Sequence, residues 1–63
     1  MAKNYAKEID NALHEYEDGK SFHMYSTSWI ADRINWCWRW RKITEEQTKN
    51  FADRMTKIFE GDY

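Results

Sequence analysis

The amino-acid sequence predicts an all-α fold: a compact three-helix bundle with helices near residues 4–18, 28–42 and 45–60 and an ordered loop at 19–27. Three observations carry that prediction. The chain has no proline and only two glycines, Gly19 and Gly61, each directly after a helical-period segment, where they read as C-terminal stops. Apolar residues recur at spacings of three and four in separate segments, as they do along one stripe of a helix. Hydroxyl-bearing residues stand immediately ahead of the second and third segments, where a helix needs an acceptor for its free amides.

In the first segment Tyr5, Ile9, Ala12, Leu13 and Tyr16 share one stripe, giving a helix that Gly19 ends. The stretch Lys20 to Tyr25 alternates Phe22 and Met24 with polar residues, yet no second strand exists to pair with it, so it reads as an ordered loop whose aromatics lie on the bundle. Ser26, Thr27 and Ser28 offer N-cap hydroxyls, and Trp29 to Lys42 contains no breaker, so helix two runs to 42. Thr44-Glu45-Glu46-Gln47 has the form of a capping box, in which Thr44 and Gln47 reciprocally satisfy each other's backbone amides. Glu45 and Glu46 suit the positive end of the helix dipole, and Phe51, Ala52, Met55, Ile58 and Phe59 form the apolar stripe of helix three.

Sixty-three residues are enough for one core and one domain, 1–63, and a multidomain enzyme is excluded. Four Trp, four Tyr and three Phe supply far more apolar area than a disordered chain carries. A net charge of -1 removes the bulk positive charge of a protein held on nucleic acid mainly through phosphates. One cysteine, Cys37, makes no disulfide within the chain, which points to a reducing compartment. With no run of about 18 apolar residues and no apolar segment after Met1-Ala2-Lys3-Asn4, neither membrane insertion nor export is expected, and the expected location is the cytoplasm.

Charge is segmented. Residues 1–18 carry two Lys against five acids, 19–44 five bases against Asp32, and 45–63 three bases against five acids, for net charges of -3, +4 and -2. Helix two is thus a basic, Trp-rich element between acidic ones. A turn of about 100° per residue divides its apolar residues into two faces. Ile30, Ile34, Cys37 and Trp38, with Ala31 at the edge, form a core face, while Trp29, Trp36 and Trp40 cluster with Arg33 on an adjacent one. Asp32, Asn35 and Arg39 take the polar arc. The second face is either further core, since a central helix contacts both neighbours, or a contact surface.

No motif names a reaction. His14, His23 and Cys37 lack metal-ligand spacing, so no metal and no cofactor are expected. Cys37 with a histidine lacks a third orienting group and falls on the core face. Glu15, Glu17 and Asp18 read as a solvated helix end rather than an acid/base pair.

The sequence therefore points to a non-enzymatic protein-binding module. Its contact surface is either the Trp29, Arg33, Trp36, Arg39 and Trp40 face or an acidic surface of Glu8, Glu15, Glu17 and Asp18 that would imitate phosphates in a basic groove. Two alternatives stand beside it. One is a small nucleic-acid-binding protein, using Arg41-Lys42-Ile43-Thr44 as the turn of a helix-turn-helix or stacking bases on Trp36 or Trp40 beside Arg39 and Arg41. The other is a homo-oligomeric structural protein whose extra apolar face is buried in a homodimer.

In size, and in the stretch from Trp29-Ile30-Ala31-Asp32-Arg33 through Ile34-Asn35-Trp36-Cys37-Trp38 to Arg39-Trp40-Arg41-Lys42-Ile43 with an acidic helix start after it, the chain resembles the short open reading frames of bacteriophages and related mobile elements. The resemblance implies a non-enzymatic effector made in a bacterial cell that inhibits a host protein or ribonucleoprotein complex. Anti-CRISPR proteins are the favoured instance, and inhibitors of host polymerases or nucleases are others. Such inhibitors share no common motif, so no site residue follows from it.

Overall fold

Each helix begins where a side-chain oxygen meets a free amide. The computed structural model describes residues 4–61. Helix α1 is Tyr5–Glu17, α2 is Thr27–Arg39 and α3 is Glu45–Glu60. The Asn4 side chain accepts from the Lys7 amide at 3.0 Å, and Ser26 Oγ accepts from the Trp29 amide at 3.1 Å. The predicted capping box opens α3, with the Gln47 amide donating to Thr44 Oγ1 at 3.1 Å and the Thr44 amide donating to Gln47 Oε1 at 2.9 Å. The all-α three-helix bundle is as the sequence predicts: all three helix pairs touch, and no strand occurs among the described residues.

The core is built from Ile9, Ala12 and Leu13 of α1, Ile30, Ile34 and Cys37 of α2, Phe51 and Met55 of α3, and Ile43 from the connection between α2 and α3. Tyr5, Tyr16, Tyr25, Trp29 and Ile58 pack half-buried around it. Tyr5 against Trp36, Glu8 against Arg33 and Tyr16 against Tyr25 make α2 antiparallel to α1, and the short connection 40–44 turns the chain directly from α2 into α3. The C-terminal end of α2 therefore lies beside the starts of α1 and α3, and Tyr5 packs against Trp36 with ring centroids 5.7 Å apart.

Four expectations are corrected. Helix α2 stops at Arg39 instead of 42, because Arg41 takes a left-handed backbone with φ 56° that a continuing helix does not tolerate. Trp38, expected in the core, is 52% exposed, and Ile43 is buried in its place. Trp38 lies about 40° beyond Ile34 at the edge of the stripe, and the reversal at Arg41 folds Ile43 back over the core. Phe59 and Ala52 are exposed because the buried side of α3 centres on Phe51, Met55 and Ile58, leaving both about 80 to 100° off axis. In the 18–26 connection Phe22 and Met24 point outward, 74% and 67% exposed, while His23 stacks on Tyr16 at 3.8 Å and Tyr25 on Trp29 at 3.9 Å. The Tyr16 hydroxyl donates to the Tyr25 carbonyl at 2.7 Å, which ties this connection to α1.

Candidate functional site

The predicted Trp and Arg face separates into two groups. Along the first part of α2, Arg33 is enclosed by rings: its guanidinium lies 5.4, 5.7 and 5.2 Å from the ring centroids of Tyr5, Trp29 and Trp36. Its Nε donates to Glu8 Oε1 at 3.1 Å. Trp29 has Tyr25 stacked on it and Arg33 beside it, and Trp36, 39% exposed, has Tyr5 and Arg33 against its ring. These contacts use the faces of both indoles and the charge of the arginine. Trp29 and Arg33, expected in the contact surface, are thus parts of the fold, and Trp36 is shared between fold and surface.

The end of α2 differs. Trp38 and Trp40 are 52% and 60% exposed, and among the described residues no ring or cation stacks on either. Arg39 and Arg41 are exposed, and no carboxylate of the described residues pairs with them. Lys42 is exposed too, with its ammonium 5.9 Å from the Tyr5 ring centroid. A groove lined by Trp38, Arg39, Arg41, Ile43, Thr44 and Glu45 runs between this end and the start of α3. Two indoles and three cations therefore occupy five consecutive positions, 38–42, on the outside of the bundle. Sequence reasoning placed Arg39 and Trp40 in its protein-contact face, named Arg41 and Lys42 only for the nucleic-acid alternative, and assigned Trp38 to the core. The +4 charge of the central segment was the available signal.

Of the acidic residues Glu8, Glu15, Glu17 and Asp18, the first three have partners within the fold, and Asp18 is exposed. Glu8 is held by Arg33. Glu15 Oε1 accepts from the Met24 amide at 3.2 Å, and Asp18 is the C-cap of α1. Glu17 makes a two-point contact with Arg54, whose Nε and Nη2 donate to its two oxygens at 2.8 and 2.6 Å, while Nη1 donates to Asp10 Oδ1. The side chains of Glu17 and Arg54 are only 13% and 16% exposed. Hydrogen bonds from Arg54 hold the Glu17 carboxyl below its usual value, outweighing the opposing effect of burial. The guanidinium is in turn held charged by its bonds to Glu17 against its own desolvation. This clamp joins α1 to α3, and Asp10 and Arg54 were not singled out in the sequence. Asp10 and Glu17, seven apart, lie on one side of α1, which was the signal for it.

Cys37 is fully buried in the core. His14 lies on the surface of α1, 3.6 Å from Asp10 and 3.7 Å from Glu17. Among the described residues no three His, Cys, Asp or Glu side chains are grouped to hold a metal ion, and no helix is long and apolar enough to cross a membrane. No protein-family model, no curated protein and no solved structure matches this chain.

Proposed function

We propose that the chain is a non-enzymatic binding module that inhibits a bacterial host macromolecule by occupying a site on it, with the end of α2 as its contact surface. The observation that supports this reading is the contrast within α2: Trp38 and Trp40 stand exposed without ring partners, beside Arg39 and Arg41 without carboxylate partners. Indole and guanidinium groups are the side chains that contribute most to protein interfaces, and a rigid bundle presents them with little ordering cost on binding. The bacteriophage resemblance makes the bacterial cytoplasm the place of action and inhibition of a CRISPR effector the first instance to test.

The test is an affinity capture from bacterial lysate, with and without nuclease, using the chain and its Trp38→Gln/Trp40→Gln variant side by side. A partner retained after nuclease by the chain and lost by the variant supports the reading. A complex that vanishes with nuclease turns it to nucleic acid. Self-association of the purified chain that the variant abolishes, seen by light scattering, turns it to a homo-oligomer.

A further inference from the structure

All three helices end in the same way, with the residue that reverses the chain in the left-handed region. In α1 that residue is Gly19, with φ 71°, and in α3 it is Gly61, with φ 77°. In α2 it is Arg41, with φ 56°. The hydrogen bonds at the ends of α1 and α2 match pair for pair. Gly19 donates to Tyr16 and Lys20 to Glu15, both at 3.2 Å; Arg41 donates to Trp38 at 3.1 Å and Lys42 to Cys37 at 2.7 Å. Such a reversal favours glycine because a side chain crowds the backbone there. The fold derives no visible benefit from the arginine: its side chain is exposed, and no carboxylate of the described residues pairs with it. A residue held in a disfavoured backbone state that packing does not explain is a pointer to function.

We propose that Arg41 is an anchor for a carboxylate of an acidic partner protein, whose cleft receives the end of α2 as a knob. This rests on the reading of that end as the contact surface. The guanidinium fork matches a carboxylate in two parallel hydrogen bonds, and Arg39 and Lys42 extend the same positive charge. The shape favours a cleft over a strand of nucleic acid. Trp38 lines the groove beside Arg41 and Ile43, whereas Trp40, the C-cap of α2, does not, so the two indoles do not form one platform on which neighbouring bases stack. Trp36, the indole that shares a side with Trp40, already has Tyr5 and Arg33 against its ring. The charge argues likewise. Three cations on single-stranded phosphates give a salt exponent of about 2, so affinity would fall roughly 20-fold between 50 and 200 mM salt, leaving little to hold a strand.

The experiment selects from a displayed library of random 16-residue peptides on the full chain, with counter-selection on the Trp38→Gln/Trp40→Gln variant. Surviving peptides are then titrated against the chain, Arg41→Gly and Arg41→Lys, with a 20-nucleotide oligo-dT measured in parallel at 150 mM salt. The expected result is peptides with Asp or Glu on both sides of an apolar residue, no oligo-dT binding, and at least a tenfold loss of affinity in Arg41→Gly. Its unfolding midpoint should rise by roughly 2 to 5 °C, because the backbone strain is relieved. Arg41→Lys should recover only part of the affinity. Peptides without acidic excess, or unchanged binding by Arg41→Gly, overturn the proposal and leave the contact surface standing. Oligo-dT binding tighter than any peptide overturns it in favour of nucleic acid. If no peptide distinguishes the chain from the Trp variant, the contact surface itself fails and the proposal with it.

Discussion

The two parts of α2 use the same residue types to opposite ends. Over Trp29 to Trp36, indoles and an arginine enclose one another, with Tyr5, Tyr25 and Glu8 completing the arrangement. From Trp38 to Arg41, indoles and arginines alternate again, and no ring, cation or carboxylate among the described residues pairs with them. The difference teaches that tryptophan and arginine content does not mark a contact surface by itself; what marks it is whether their ring faces and charges are already used. A used face has no binding free energy left to give, whereas an unused one has a desolvation gain still available.

The largest expected effect sharpens this contrast. Trp29→Ala removes a half-buried indole, its stacking on Tyr25 and one wall of the Arg33 enclosure, so it should destabilise the domain by about 2 to 3 kcal/mol. Trp38→Ala should change stability by no more than about 0.5 kcal/mol. Thermal unfolding followed by circular dichroism separates them, since each kcal/mol shifts the midpoint by roughly 4 to 8 °C in a domain of this size. Equal shifts would break the comparison.

The arginines offer the next test. Arg54→Ala leaves Glu17 largely enclosed without its guanidinium partner and should cost about 2 kcal/mol, below the range for fully buried pairs because the clamp is partly open to water. Arg39→Ala should cost close to nothing. The clamp also has a pH signature. Because the folded state holds the Glu17 carboxyl below its usual 4.5, its contribution is fully present above that pH and is lost as the pH falls through the depressed folded value. Urea midpoints measured from pH 6 down to 2 should fall over that acidic range in the chain. In Arg54→Ala this part of the fall should be missing.

The outer helices were legible in the sequence because local signals agree there: a 3.6-residue apolar period and a glycine behind each, with a capping box ahead of α3. The end of α2 was not, because the residue that stops it is an arginine in a conformation sequence rules assign to glycine. Extending the helix to 42 carried two errors with it. Trp38 was assigned to the core, and Ile43, buried only after the chain reverses, was left out of it. The partners of the acidic residues were not legible for a different reason. Arg33 and Arg54 lie 25 and 37 residues away in sequence, and periodicity is blind to such pairs.

A smaller effect probes the neighbour of the exposed end. Thr44→Ala removes the hydroxyl of the capping box at the start of α3 and should lower stability by about 1 kcal/mol, seen as an unfolding midpoint several degrees lower. An unchanged midpoint would mean that Gln47 and water suffice to satisfy the free amides.

A small effect on stability also belongs to the variant that should matter most for binding. Trp38→Gln/Trp40→Gln removes two indoles that are more than half exposed in the folded chain, so folding changes their surroundings less than those of the half-buried Trp29. Glutamine suits the last turn of a helix, and Trp40, as the C-cap, is already outside the regular helical geometry. The unfolding midpoint should therefore stay within a few degrees of the parent, with the helical signal and monomer size unchanged. Trp36→Ala, whose ring is half engaged with Tyr5 and Arg33, should fall between this variant and Trp29→Ala. A drop of more than about 10 °C in the double variant would show that Trp38 and Trp40 shield Ile43 and Cys37 from water. The end of α2 would then be the rim of the core, and the distinction between used and unused indoles would fail at the place where it predicts the most.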